Sequence, residues 1–239
     1  MELRVTGARS REGLSGAGSA RSVDRALALL IAVTESDKLS LSGAARETDL
    51  PKSTALRLLR TLEAWELIAR GADGDFHTGP RLVQLSVLTL SEDAVVRGTR
   101  RSLERVVSAT GESAYVSAIG PSQSVLYLGQ VEGTHPVRHA NWIGRTVPLE
   151  GTAAGEVLTG KVSELGYVIR SLTVEPDVTA IAAPIFDGRG DIRAALSVVG
   201  PTFRLDALAA DRVGALLANE AAEVSRELGY KIKRTETER

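Results

Sequence analysis

The stretch Pro51-Lys52-Ser53-Thr54-Ala55-Leu56-Arg57-Leu58-Leu59-Arg60-Thr61-Leu62-Glu63 decides how the N-terminal part of the chain is read. Proline suits the opening turn of a helix, where its missing N–H would have no partner. Ala55, Leu58, Leu59 and Leu62 recur at helical spacing as an apolar stripe, which leaves Ser53, Arg57 and Arg60 on the opposite side. Between residues 51 and 60 there are three positive charges and no acid. The ammonium of Lys52, the hydroxyls of Ser53 and Thr54 and the free amides of a helix start all suit phosphate. Arg57, one turn further on, can grip guanine or clamp the backbone. Lys52, Ser53, Thr54, Arg57 and Arg60 are therefore the candidate contacts to duplex DNA, although an ordinary solvated amphipathic helix shows the same pattern.

Upstream, Leu41, Ala44, Ala45 and Thr48 predict a short helix begun by Ser40 or Ser42 and broken at Asp49-Leu50. A short helix, a tight turn and a second helix with one polar-basic face make a helix-turn-helix. Before it, Ser22 is a good N-cap, and Val23, Ala26, Leu27, Leu30 and Ile31 are expected on the core-facing side of a first helix. Downstream, residues 67–69 and Phe76 flank Asp73-Gly74, a hairpin signal, so a two-stranded wing is expected. A winged helix-turn-helix thus fills residues 21–80, and residues 1–20, dominated by Gly, Ser, Ala and Arg, read as a flexible arm.

Composition narrows the partners. The 239 residues, 43% hydrophobic and 25% charged, suffice for two ordinary cores. The formal net charge of −1 offers no global attraction to phosphate, so any DNA binding must come from a local basic surface. Aromatics, at 4%, are too few for single-strand stacking platforms. With no cysteine, thiolate metal sites, disulfides and Cys nucleophiles are excluded, and a cytoplasmic setting is the expectation. Neither an apolar run of about 18 residues nor a secretory pattern is present, so no membrane partner is expected.

Beyond residue 80 the pattern changes. Leu82, Val83, Leu85, Val87, Leu88 and Leu90 are too dense for a solvated linker, so residues 81–97 are expected as a linker helix buried against another surface, such as a partner chain. Another helix follows to Gly111. Strands are expected at 113–119, 125–131, 137–142, 181–186 and 194–199, with a short helix at 152–158 and a long one at 205–228. Residues 98–229 thus read as an α+β sensor domain, and 230–239 as a charged tail.

Enzyme motifs fail. Gly155-Glu156-Val157-Leu158-Thr159-Gly160-Lys161 mimics a phosphate-binding loop, but Val162 stands where Ser or Thr is needed. His135 and His139 are split by Pro136 in β-like surroundings, and no carboxylate completes a metal set. His77, in the wing, is placed either to touch phosphate or to do nothing, Glu112 and Asp187 pair with nothing identifiable, and Tyr127 and Trp142 line either the pocket or the core, with the core as the expectation. No catalytic residue, metal or cofactor is expected.

Taken in order, Ser22-Val23-Asp24-Arg25-Ala26-Leu27, Leu50-Pro51-Lys52-Ser53-Thr54, Gly79-Pro80-Arg81-Leu82, Gly111-Glu112-Ser113, Gly151-Thr152-Ala153-Ala154-Gly155, residues 182–187 and residues 195–201 resemble the IclR family of bacterial transcription regulators. The resemblance covers roughly residues 21–229 and implies a GAF-like α/β sensor domain joined by the linker helix to the winged helix-turn-helix. It also implies homodimers or dimers of dimers, an operator partner, and small organic acids or aromatic catabolites as effectors. Its pocket positions fall on Leu149, Thr152, Ala153, Ala154, Ala180, Ser197 and Val199, where small residues could equally serve close packing. The chain departs from the family in a short segment before Gly166-Tyr167, in Arg170 near where acids are usual, in Val199 replacing a serine, and in Asp49 at a turn glycine. Asp tolerates left-handed geometry. The departures after Gly160 imply either a more apolar effector, an anion held by Arg170, or a regulator without ligand response. The expected activity is that of a ligand-modulated repressor.

Overall fold

The structure is a computed structural model that describes residues 21–36, 38–139, 141–172 and 176–231. The expected arm at 1–20 and the tail from residue 232 onward lie outside the described residues. Two compact units meet between Thr89 and Leu90.

In the first unit, α1 (Arg21–Glu35), α2 (Leu41–Glu47) and α3 (Lys52–Ala64) precede a hairpin of β1 (Ile68–Arg70) and β2 (Phe76–Thr78). Ser40 starts α2 by accepting a hydrogen bond from the Gly43 amide at 3.1 Å. Asp49 adopts φ 52°, the left-handed geometry the turn requires, and Pro51 takes the N-cap of α3. Ala55, Leu58, Leu59 and Leu62 enter the core beside Ile68 and Phe76. Gly74 turns the wing at φ 87°, and Leu39 pairs with Phe76 as a third, one-residue rung. One expectation is corrected. The core side of α1 is Leu29, Ala32 and Val33, with Ala26 and Leu30 at its margin, whereas Val23, Leu27 and Ile31 are exposed. The helix carries two apolar stripes, and periodicity alone does not say which one faces its own core.

Helix α4 (Pro80–Glu92) ends before Asp93, whose carboxylate accepts from the amides of Val95 and Val96 and starts α5 (Ala94–Thr110). The single helix expected over 81–97 is therefore two helices. Val83, Leu85, Val87 and Leu88 on α4 are exposed within the chain.

The second unit is built on a six-stranded antiparallel sheet. Its strands are β3 (Ser113–Gly120), β4 (Ser124–Val131), β5 (Thr146–Pro148), β6 (Val168–Ser171), β7 (Val178–Phe186) and β8 (Ile192–Pro201), ordered β5-β4-β3-β8-β7-β6. Helices α5 and α7 (Ala207–Glu227) cover one face through Leu103, Val106, Val107, Val213, Leu217 and Val224. The short helix α6 (Ala153–Leu158) covers the other. The strand expected at 137–142 is absent. Those described residues form an irregular loop, held instead by Arg204, whose guanidinium donates to the Val137 carbonyl at 2.7 Å. Strands β5 and β6 were not anticipated, being edge strands of three and four residues. Tyr230, assigned to the tail, stacks on Phe186 with ring centroids 4.9 Å apart.

Candidate functional site: a polar-basic helix face and a C-terminal cavity

The first candidate surface is α3. Its apolar stripe faces inward, so Lys52, Ser53, Arg57 and Arg60 are exposed and Thr54 is half-buried beside them. All five sit on one helix whose first turn holds no acid. The adjacent wing is tied to the segment before α2 by Lys38 and Asp73, 2.7 Å apart. His77 on β2 has its Nδ1 3.1 Å from the Thr78 carbonyl oxygen.

The second is a cavity in the C-terminal unit, lined by Tyr127, His139, Trp142, Thr152, Ala153, Ala154, Arg170, Val178, Ala180, Ser197 and Val199. It opens to solvent, and with its mouth included the space between its atoms is about 510 Å³. Sheet register assembles its floor. Arg170 lies opposite Ala180, and Ala180 opposite Val199, so three adjacent strands deliver one row of side chains to the same face. Ser197, two residues before Val199 on β8, is on that same face.

The roof begins at Thr152. Its hydroxyl accepts from the Gly155 amide at 3.1 Å and donates to the Pro148 carbonyl at 2.9 Å, which caps α6 and fixes the turn before it. Gly155 must be glycine, because a Cβ there would lie 1.9 Å from the Leu149 carbonyl oxygen. Seven of the eight residues anticipated for the pocket line the cavity. Leu149, the exception, packs its backbone on Gly155 instead. Since the Thr152 hydroxyl takes one of the first amides of α6, and α6 is only six residues long, that helix start is a weak site for a carboxylate.

An aromatic wall borders the cavity, in which Tyr127 and Trp142 take the pocket position that stood as the alternative to the core, and His139 joins them without a sequence signal. Tyr127 meets Trp142 edge-on at 5.7 Å, and His139 lies 5.0 Å from Trp142 at 32°. The Tyr115 hydroxyl is 2.6 Å from His139 Nδ1, and the Gln130 side chain accepts from the Trp142 amide at 3.2 Å. Burial lowers the His139 pKa to about 4, so the imidazole is neutral at pH 7. Tyr127 and Trp142 are buried members of the core, as expected, but they also face the cavity.

Polarity in the cavity is sparse. Arg170 donates from Nε to Glu156 Oε1 at 2.7 Å and from Nη2 to Oε2 at 2.5 Å, while Nη1 donates to the Ile169 carbonyl at 2.7 Å. Ser197, 2% exposed, has a hydroxyl with no hydrogen-bond partner among the described residues. No group of three or more potential His, Cys, Asp or Glu metal ligands occurs among the described residues. Nor is any described helix long and apolar enough to cross a membrane.

Comparison with known proteins bears on both surfaces. Residues 22–71 match the IclR helix-turn-helix domain, and residues 87–164 and 159–226 match the bacterial transcriptional regulator IclR C-terminal domain. The HTH-type transcriptional regulator BhcR of Paracoccus denitrificans is 28% identical, with 91% of this chain and 89% of that protein aligned. The HTH-type transcriptional repressor AllR of Escherichia coli is 25% identical over 89% of this chain and 92% of its own length. Among solved structures, an IclR homologue from Microbacterium hydrocarbonoxydans complexed with 4-hydroxybenzoate superposes with a TM-score of 0.75 at 20% identity, covering 87% of this chain and 98% of that one. An IclR regulator from Alicyclobacillus acidocaldarius gives 0.73 at 21% identity, over 88% of this chain and 100% of the other.

Proposed function

As the chain belongs to the IclR family of bacterial transcription regulators, we propose that it represses transcription by seating α3 in the major groove of an operator, and that a small organic molecule in the C-terminal cavity modulates this grip. The observation that carries the DNA reading is the outward face of α3, where Lys52, Ser53, Thr54, Arg57 and Arg60 are gathered behind a helix-turn-helix turn. Lys52, Ser53 and Thr54 are suited to phosphates, and Arg57 to a base edge or the backbone.

The working unit in this reading is a homodimer. Val23, Leu27 and Ile31 on α1 and Val83, Leu85, Val87 and Leu88 on α4 are exposed apolar side chains that a second copy would cover. Two copies of α3 would then enter successive major grooves about 34 Å apart on a roughly palindromic site. The dimer can pair further into a dimer of dimers.

The effector is assigned to the cavity, with Thr152, Ala153, Ala154, Arg170, Ala180, Ser197 and Val199 around it and Leu149 supporting the turn. The aromatic ligand of the Microbacterium relative supports a ring-sized occupant. Effector and operator affinities are coupled, and the coupling is reciprocal. The role is regulatory and involves no catalytic turnover.

Fluorescence anisotropy on the DNA upstream of the protein's own gene, with excess nonspecific competitor, tests the reading. Competitor-resistant binding that Arg57→Ala weakens by about 1–3 kcal/mol is expected. Absence of any sequence preference would overturn it.

A further inference from the structure

We infer that the cavity takes an uncharged aromatic molecule with one hydrogen-bonding group, and discriminates against organic anions. The inference rests on the effector reading above and names the chemical class of the ligand.

The charges argue first. Among the described residues lining the cavity, Arg170 is the one permanent cation, and its guanidinium is already engaged. Two of its nitrogens hold both oxygens of Glu156 and the third holds the Ile169 carbonyl. Glu156 is the more buried partner, with its side chain 17% exposed against 42% for Arg170. A carboxylate that took Arg170 for itself would strand the Glu156 carboxylate in a place with little water, and truncating or displacing one partner of such a pair is strongly unfavourable. A carboxylate that left the pair intact would add an unmatched negative charge beside it. His139 does not supply the missing cation, because its burial keeps the imidazole neutral at pH 7. The faces of Tyr127 and Trp142 carry the negative side of an aromatic quadrupole and also disfavour an anion lying on them.

The shape and the orphaned hydroxyl argue second. Ala153, Ala154, Ala180 and Val199 give the cavity an apolar lining on α6 and the sheet, bordered by the Tyr127, Trp142 and His139 rings. A planar ring suits such a lining through edge-to-face contacts. Ser197 lines the cavity, and its buried hydroxyl has no hydrogen-bond partner among the described residues. A buried hydroxyl without a partner is unfavourable, and a ligand carbonyl, amide or hydroxyl placed over β8 removes that cost.

Matched pairs of amide and acid isolate the charge at nearly constant shape. Benzamide against benzoate, 4-hydroxybenzamide against 4-hydroxybenzoate, and cinnamamide against cinnamate are titrated at pH 7.5 into the full chain. Trp65 is replaced (Trp65→Phe), which leaves Trp142 as the fluorescent reporter of the cavity. In at least one pair the amide is expected to quench Trp142 saturably, with a Kd at least tenfold below that of the acid. Glu156→Gln, which frees the guanidinium of Arg170, is expected to tighten the acid of that pair tenfold or more. Ser197→Ala is expected to weaken the amide about tenfold without lowering Tm. An acid that binds as tightly as its amide to the chain with Glu156 intact overturns the inference, and so does the failure of every pair to perturb Trp142. Operator anisotropy in the same samples separates the two levels. DNA binding that responds only to acids leaves the regulator reading standing while this inference falls, whereas loss of specific DNA binding removes the regulator reading whatever the ligands do.

Discussion

The two faces of the central sheet are built from the same strands and finished in opposite ways. Toward α5 and α7 the strands present Val116, Ile181, Ile185, Leu196 and Val198, and large helix side chains such as Leu103 and Leu217 fill the space above them. Toward α6 they present Ala180, Ala182, Ala195, Ser197 and Val199, set against Ala153 and Ala154. Among the described residues, the buried side-chain polar atoms without a partner are Ser117 Oγ, Gln130 Nε2 and Ser197 Oγ. Ser117 pairs with Ala195 and Gln130 with Tyr115, both core residues of the α6 side, so these two atoms share the face on which Ser197 lines the cavity. One face is finished as core and the other is left with room and unmet hydrogen-bonding capacity. A sheet whose side chains alternate can separate stability from ligand recognition in this way, strand by strand.

Substitutions can break or sharpen that contrast. The largest effect is expected from Arg204→Ala. Arg204 engages Glu112, 2% exposed, through Nε and through Nη2 at 3.0 Å, and also pins the loop that carries the aromatic wall. Leaving Glu112 buried and unpaired should cost about 3–5 kcal/mol in urea denaturation. His135, whose Nε2 lies 3.8 Å from Glu112, is placed to soften that loss.

On the filled face, Leu217→Ala removes a fully buried side chain and should cost about 2–5 kcal/mol. A sharper version uses two alanines of β7. Ala183 faces the filled side, so Ala183→Leu should destabilise by about 1–3 kcal/mol, as overpacking does. Ala180 faces the cavity, and Ala180→Leu should cost less than about 1 kcal/mol while blocking ligand. Equal destabilisation by the two would mean that the faces do not differ.

The pH dependence is smaller and has a definite sign. Burial lowers the His139 pKa from 6.5 to about 4, so the folded state holds this imidazole neutral. Its contribution to stability is complete above pH 6.5 and is lost as pH falls toward 4. Denaturation at stepped pH should show a shallower decline over that interval for His139→Asn. The smallest effect is that of Ser197→Ala, which deletes an unsatisfied buried hydroxyl and should leave stability unchanged or raise it by a few tenths of a kcal/mol. A clear loss would mean the hydroxyl serves the fold.

How much of this was legible in the sequence follows from how local each feature is. Helix α3 was readable because its inward stripe and its exposed polar-basic face lie within thirteen consecutive residues and obey one period. The two β-hairpins that close at Gly74 and Gly190, both with positive φ, were marked by Asp-Gly and Gly-rich turns. The cavity floor was reached only through family resemblance, because the row Arg170–Ala180–Val199 exists only after register brings three strands together. Tyr127 and Trp142 could be named as pocket candidates, but the geometry of the wall and the place of His139 in it escaped, because His139 and Trp142 lie in a loop held at Val137 by Arg204, 67 residues away. Its apolar residues resemble a strand when read alone. The misassigned face of α1 has a similar cause, since an exposed stripe of Val23, Leu27 and Ile31 has the same spacing as a core one.

The most direct test of the whole account is operator affinity, measured by anisotropy on the unaltered chain and on Ala180→Leu in parallel, with and without a saturating concentration of the amide that most strongly quenches Trp142. The account expects the amide to change the affinity of the unaltered chain at least fivefold, about 1 kcal/mol of coupling, and to leave that of Ala180→Leu where it was. An operator affinity indifferent to the amide in the unaltered chain, or one that responds equally with the cavity filled, would contradict it.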